Sequence, residues 1–300
     1  MRLIGVRSAA VNGAGGAGGT GGSGGAGDEV WVASTQAVDT PTTGPATLVA
    51  PLRDFWNDPR HALAAPDGRE IDVQADDLVP PVLPEARVIC IGLNYRDHIA
   101  EGSFAGQDQA PYPTLFARWT RSLVVGGVPV PVPRDENGLD WEGEVAAWVG
   151  ADLTDVDADE ARAAILGYST FNDLTARIAQ KLTSQWILGK NADRSGPIGP
   201  LVTADEVGGL RDGLAIRTRV NGQTVQESST DRQIYEAGET LALISRTFTL
   251  RAGDILCTGT PSGVGYARTP QWLLNDGDTV EVEVERLGVL RTPIESVARP

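Results

Sequence analysis

The segment that most constrains this chain is Leu139-Asp140-Trp141-Glu142-Gly143-Glu144-Val145-Ala146-Ala147-Trp148-Val149, which reads as a strand. Trp141, Val145, Ala147 and Val149 share one parity, and Asp140, Glu142 and Glu144 share the other. Side chains alternate across a strand, so Glu142 and Glu144 project from one face, about 7 Å apart. Two carboxylates that close, followed by an apolar run that asks for burial, repel unless a cation or a shared proton relieves them. A hard divalent ion such as Mg²⁺ does so, held by a few carboxylates together with water and substrate oxygens. A solvated strand face has the same local pattern, so the rest of the chain must decide between them.

A chain of 300 residues has room for one large core, or for a main domain with a smaller one. Its formal charge of −15 argues against nucleic acid or an anionic membrane as partner. An anionic substrate would need local positive groups to overcome that background. No apolar run approaches the ~20 residues of a membrane span, and Met1–Arg7 lacks the apolar core of a signal peptide. A cytoplasmic, soluble protein is expected. Cys90 and Cys257 each sit inside an apolar run and read as reduced core residues. With two cysteines and two histidines in all, a Cys/His zinc site is disfavoured.

Taken in order, residues 2–7 and 29–33 alternate as two strands, joined by a glycine-rich stretch at about 12–27 that reads as a flexible insertion. Gly13 to Gly18 match G-x-G-x-x-G, but more glycine follows where the dinucleotide fingerprint needs a helix. Residues 40–77 are weakly periodic, with a short helix expected at 60–64 and His61 on the surface. Pro80-Pro81-Val82-Leu83-Pro84 reads as a linker, placing a small N-terminal domain at 1–80 and a larger one at 87–300.

Beyond it, residues 87–91 form a strand leading into Asn94-Tyr95-Arg96-Asp97-His98-Ile99-Ala100-Glu101-Gly102, a helix with Asn94 as cap and Gly102 as stop. His98 and Glu101 are then i and i+3 on one face. A carboxylate beside an imidazole raises its basicity and orients it, which suits a general base; a surface ion pair has the same spacing. An amphipathic helix is expected over 155–166, stopped by Gly167, then a strand over 168–171. Asp173 follows, either as a helix cap or as a third metal carboxylate. Arg177 and Gln180 share a helical face, and Lys190 supplies a cation in a glycine- and proline-rich region. Residues 214–220 and 224–228 alternate across Asn221-Gly222, a type I′ hairpin signal. A helix at 238–247, an apolar strand at 254–258 and an alternating strand at 279–285 complete the reading. The loop Gly259-Thr260-Pro261-Ser262-Gly263-Val264-Gly265 lacks the lysine of a P-loop, yet its glycines would let backbone N–H groups approach an anion.

Six motifs, in order from residue 87 onward, resemble the fumarylacetoacetate hydrolase family: G-L-N-Y-R-D-H-I-A-E, L-D-W-E-G-E-V, F-N-D-L-T-A-R, G-K-N-A-D, V-N-G-Q-T-V-Q and G-D-I-L-C-T-G-T-P-S-G-V-G. The resemblance covers some two thirds of the chain. It implies an α+β, mostly β fold, a mixed β-sandwich roll, in a homodimer. It implies Mg²⁺, with Mn²⁺ as the alternative, on Glu142, Glu144 and Asp173. It places catalysis on His98, Glu101 and Lys190, and substrate binding on Arg177, Gln180, Thr260 and Tyr95. The chain departs from the pattern at Ile178, often aspartate, at Ala192, often aromatic, and at Arg118-Trp119, often Lys-Pro. Ala192 and Arg118 are therefore expected to reshape the pocket.

The chemistry implied is hydrolysis of a carbon–carbon bond in an acylpyruvate or related 2,4-dioxo acid. His98, oriented by Glu101, would activate water, and the departing carbanion would be held on the metal as an enolate. Lys190 and Arg177 would offset its charge. The substrate is then a small anionic 2-oxo acid. Oxaloacetate decarboxylation ranks second and isomerisation or dehydration of a related oxo acid third. A catalytically silent metal-binding paralogue is disfavoured by the competent residues at each of these positions.

Overall fold

Apolar residues on both parities of Val145–Val149 demand cover on two faces, and the chain supplies both. In the computed structural model, which describes residues 1–13, 29–38, 40–101 and 111–296, the strand Gly143–Val149 is buried along its whole length within a large sheet. It pairs antiparallel with Ile165–Asn172 on one side and with Ile255–Cys257 on the other. Val145, Ala147 and Val149 pack on Leu241 and Ala242 of the helix Ala237–Ser245 and on Ile216 and Val282 of a second sheet. On the opposite face Ala146 and Trp148 join Phe55 and Trp56, with the Trp56 and Trp148 rings stacked 5.6 Å apart. Each large apolar side chain so buried contributes about 1.5–3 kcal/mol. This two-sided burial fixes the register of the strand, because a slip of one residue would carry Glu144 into an apolar core.

The larger sheet holds 13 strands among the described residues. Its main order is Glu70–Val73, Gly44–Pro51, Val30–Thr35, Arg2–Arg7, Leu201–Thr203, Ile165–Asn172, Gly143–Val149, Ile255–Cys257, Val88–Gly92 and Thr114–Arg118. The smaller sheet runs Gln223–Ser229, Ala215–Val220, Thr279–Val284, Gly288–Ser296 and Val130–Val132. Both are mixed, with parallel pairs between Ile255–Cys257 and Val88–Gly92 and between Gly288–Ser296 and Val130–Val132. The fold is thus α+β and mostly β. Arg2 pairs with Val202, so the N-terminal strands extend the same sheet past Pro80–Pro84. Cys90 and Cys257 face each other in register as free, buried thiols.

The hairpin at Asn221-Gly222 is present, with φ of 49° and 82° at the two turn residues. Val280, Val282 and Val284 point inward along Thr279–Val284 while Glu281 and Glu283 point outward. The short helix Pro59–Ala64 is where it was expected, with His61 exposed. Three expectations are corrected. The helix expected over 155–166 spans Ala158–Ala163, capped by Asp157, and the next strand already begins at Ile165. Gly167 is no helix stop but a strand residue: a Cβ there would stand 2.1 Å from the Val202 carbonyl oxygen, so only glycine lets the neighbouring strand close. Asn94 does not cap the helix Arg96–Glu101. Its side-chain amide donates to the carbonyls of Tyr235 and Thr258 and accepts from Tyr235 N–H, tying three segments together. The weakly periodic region 40–77 also holds a strand, Gly44–Pro51, and a helix, Leu52–Asn57, that its composition did not announce. Gly102 and the glycine-rich stretch from Ala14 to Gly27 lie outside the described residues. Among the described residues no helix is long and apolar enough to cross a membrane.

Candidate metal centre and active site

The regular strand starts at Gly143, and Leu139 and Asp140 reach it through isolated bridges to Leu274 and Thr175. Glu142 and Glu144 keep their i, i+2 relation across Gly143. Thr218 Oγ1 lies 2.3 Å from where a Cβ of Gly143 would stand, so glycine between the two glutamates lets the hairpin pack beneath them. Gln226 of that hairpin accepts from Gly143 N–H at 3.0 Å and donates to Thr260 Oγ1 at 2.9 Å. Asp173 comes alongside where Ile165–Asn172 ends, its N–H donating to the Glu142 carbonyl at 2.9 Å. One oxygen from each of Glu142, Glu144 and Asp173 lies within 4.8 Å of the others, and all three residues are buried. Three carboxylates without a soft ligand fit a hard divalent cation.

The surrounding charges set the three apart. Lys190 Nζ donates to Glu142 Oε2 at 2.7 Å and to Asp173 Oδ2 at 2.6 Å. Arg177 donates to Glu142 Oε1 at 2.7 Å and to Asp140 Oδ2 at 2.8 Å. Burial alone would raise the pKa of Glu142, but Lys190 and Arg177 outweigh it and hold the carboxyl down at about 2. Among the described residues, Glu144 receives only Gly259 N–H, at 3.0 Å. Burial, followed by the charges of Asp173 and Glu142, pushes it well above the usual range. Glu142 is therefore held as a carboxylate, whereas burial and its acidic neighbours oppose the charged form of Glu144, and an arriving cation would relieve that opposition. Asp173 is locked from behind by Arg118, whose Nε donates to Oδ1 and whose other nitrogens reach Ser122, Ser195 and the Leu174 carbonyl.

Above this floor the helix Arg96–Glu101 presents His98 and Glu101 on one face. His98 Nδ1 lies 2.8 Å from Glu101 Oε1, and Glu101 Oε2 accepts Gly263 N–H at 2.7 Å. With Nδ1 engaged, Nε2 is the nitrogen left for the cavity. The backbone N–H groups of the loop 259–265 do approach anionic groups, and these are the protein's own carboxylates. Gly259 serves Glu144, Gly263 serves Glu101, and Gly265 donates to Asp140 at 2.6 Å. Floor and rim together bound a cavity of about 560 Å³. Its polar end carries His98, Glu142, Glu144, Lys190 and Thr260, and Ile91, Phe116, Trp186 and Val264 form an apolar wall.

Of the residues singled out in the sequence, His98, Glu101, Arg177, Gln180, Lys190 and Thr260 all line this cavity. Gln180 Oε1 accepts from Arg177 Nη1 at 3.0 Å, as their shared face suggested. Asp173 is fully buried just behind the wall, and serves as a partner of Lys190 rather than as a helix cap. Tyr95 is also buried outside the lining residues, its hydroxyl accepting from Gln233 Nε2 at 3.3 Å. Neither Arg118 nor Ala192 is among the lining residues, so the expected reshaping of the pocket by these two is corrected: Arg118 acts on Asp173 from inside the core. Asp140 shares the parity of Glu142 and Glu144, but its sequence context assigns it no role. It is fully buried and ties Arg177 to the backbone N–H groups of Gly265 and Tyr266.

Residues 87–295 match the family described as fumarylacetoacetate (FAA) hydrolase C-terminal, and the chain belongs to that family. Among curated relatives, the mitochondrial oxaloacetate tautomerase Fahd2a of Rattus norvegicus is 37% identical over 233 residues, covering 77% of this chain and 73% of the relative. The oxaloacetate tautomerase YisK of Bacillus subtilis is 36% identical over 214 residues, 70% of each chain. Among solved structures, a 2-hydroxyhepta-2,4-diene-1,7-dioate isomerase from Mycobacterium marinum superposes with a TM-score of 0.73 at 29% identity, covering 100% of both chains. A fumarylpyruvate hydrolase from Pseudomonas aeruginosa, in complex with Mn²⁺ and pyruvate, gives 0.63 at 31% identity over 74% of this chain and 93% of that one. These similar proteins are thus two tautomerases, an isomerase and a hydrolase.

Proposed function

We propose that this protein is a divalent-cation-dependent enzyme that moves a proton at the carbon beside the keto group of a small 2-oxo acid, a keto–enol tautomerase of the oxaloacetate type. The observation that carries this reading is the His98–Glu101 pair, set across one cavity from the Glu142, Glu144 and Asp173 cluster. The two oxaloacetate tautomerases to which the chain is similar add to it. Mg²⁺ or Mn²⁺ held by those three carboxylates would supply the Lewis-acid charge that favours an enolate. His98 Nε2 takes the proton from C3, and Glu101 both fixes the ring and stabilises the imidazolium that results. Lys190 spends two of its three N–H donors on Glu142 and Asp173, which leaves the third for oxyanion charge in the cavity.

A second reading, hydrolysis of an acylpyruvate, is favoured by one feature. A cavity of about 560 Å³ with Phe116 and Trp186 on one wall exceeds what a four-carbon acid fills. In that case His98 would take its proton from a water attacking the distal carbonyl. The two readings separate in one experiment: oxaloacetate and acetylpyruvate are incubated in D₂O with Mg²⁺ or Mn²⁺ and followed by proton NMR and by the decay of enol absorbance. Faster enol decay and deuterium entry at C3 without loss of the skeleton supports the tautomerase. Release of free pyruvate and acetate from acetylpyruvate supports the hydrolase, and CO₂ from oxaloacetate supports decarboxylation. Failure to accelerate any of these over the metal alone overturns the assignment.

A further inference from the structure

The charges in the cavity wall and just behind it are almost all spent on one another, and one cavity-lining cation stands outside that network. Four buried carboxylates, Asp140, Glu142, Glu144 and Asp173, face three buried cations, Arg118, Arg177 and Lys190. Arg177 and Lys190 each already contact two of those carboxylates. Neither has charge to spare for a second anionic group. Lys181 differs. It follows directly on the helix Arg177–Gln180, lines the same cavity, and is solvent-exposed at its mouth. Its Nζ is held not by a carboxylate but by the Tyr266 hydroxyl, at 2.6 Å, and lies 3.9 Å from the Tyr266 ring centroid. Among the described residues it is the cavity-lining Lys or Arg whose recorded partner is neutral.

Tyr266 is itself well fixed. Its backbone N–H donates to Asp140 Oδ2 at 3.2 Å, and Asp140 also binds Arg177. One buried carboxylate thereby sets the spacing between the inner cation and the outer one. Thr183 and Ser184 line the wall beside Lys181; the Thr183 hydroxyl is spent on the Gln185 carbonyl, and that of Ser184 adds a polar group. We propose that Lys181, steadied by Tyr266, reads a second carboxylate at the far end of the substrate, so that the enzyme takes 2-oxo diacids in preference to 2-oxo acids with a neutral tail. The inference rests on the 2-oxo acid reading above and narrows it to a class of substrate. A net charge of −15 strengthens the case: a dianion is repelled by the molecule at large and needs a positive group at each end of the site.

The test uses binding, so that it reads out whether or not a compound turns over. Oxaloacetate, 2-oxoglutarate and 2-oxoadipate are each compared with the ester methylated at the distal carboxyl, by calorimetry on the full chain with Mg²⁺ present. For at least one length the diacid should bind about 10-fold more tightly than its ester, the scale of one charge-assisted hydrogen bond. That ratio should shrink as salt rises, because Lys181 is exposed. Lys181→Met should bring the ratio toward one, Lys181→Arg should restore most of it, and Tyr266→Phe should reduce it in part. A ratio below about twofold at every length, or one that survives Lys181→Met, overturns the assignment. The tautomerase reading is judged separately, by proton exchange and enol decay in the parent protein, and either can fail while the other stands.

Discussion

The floor of the cavity and its rim are held on different terms. On the floor, Glu142, Asp173, Lys190 and Arg118 are buried, and each has two or more charged or polar partners drawn from separate elements. On the rim, Glu101 is the recorded partner of His98 and Tyr266 that of Lys181, and these side chains stay partly in solvent. Buried and over-determined groups need no reorganisation when charge develops beside them, which is where electrostatic stabilisation is worth most. Groups held by a single bond can instead follow a substrate as it enters. The floor is thus suited to fix the reacting end, and the rim to complete the site around it.

The contrast breaks most severely at Asp173. Asp173→Asn leaves Lys190 and Arg118 short of a buried counter-charge, so it should abolish turnover, weaken Mn²⁺ binding in a paramagnetic titration and cost about 3–5 kcal/mol in denaturant unfolding. Glu144→Gln should likewise lose metal and activity, but with no loss of stability in chelator, since an uncharged amide replaces a carboxyl whose charged form burial and its neighbours oppose. Equal destabilisation by the two changes would show that the floor is not divided as described. Next in size is His98→Ala, expected to slow turnover by about 10²–10⁴-fold. Its melting temperature should hardly move, because a partly exposed ion pair contributes little. A large drop in stability instead would make the rim as structural as the floor.

A smaller and opposite-signed pair of effects should appear in pH. Glu144 has a higher pKa folded than unfolded, so the folded chain binds the extra proton between those two values. Its contribution is full below the ordinary glutamate range and is lost as pH rises through the raised value. Glu142, depressed to about 2, contributes above the ordinary range and loses that contribution as pH falls toward 2. Melting curves in chelator should therefore show a decline with rising pH that Glu144→Gln removes. The smallest effect is expected at Tyr95. Tyr95→Phe loses one hydrogen bond from Gln233, about 0.5–1.5 kcal/mol, with KM nearly unchanged; a large rise in KM would place its hydroxyl on the substrate instead.

What could be read from the sequence follows the range of the interactions. The i, i+2 spacing of Glu142 and Glu144, the i, i+3 spacing of His98 and Glu101, and the Asn221-Gly222 turn are local, and each stands in the structure as its pattern suggested. Arg118 reaches Asp173 across 55 positions and Asp140 reaches Arg177 across 37. No local period records such pairs, so Arg118 looked like a pocket residue and Asp140 like one more acid on a strand. The strand Gly44–Pro51 stayed hidden for a related reason. Its partners are Val30–Thr35 and Glu70–Val73, and glycine and proline at its ends disguise its apolar centre. Gly167 misled in the other direction, since a glycine required by a neighbouring backbone looks the same in sequence as one that ends a helix.

The three glycine amides of the loop 259–265 give the molecule a set of built-in reporters. Each donates to a different carboxylate: Gly259 to Glu144 on the floor, Gly265 to Asp140 between floor and rim, and Gly263 to Glu101 on the rim. Amide hydrogen exchange ranks such sites by the free energy of the opening that exposes them. The Gly263 amide would exchange whenever the helix Arg96–Glu101 lifts, whereas that of Gly259 would wait for a deeper opening of the sheet. Exchange at one short peptide, read with and without ligand, would therefore time the closing of the rim against the breathing of the core beneath it.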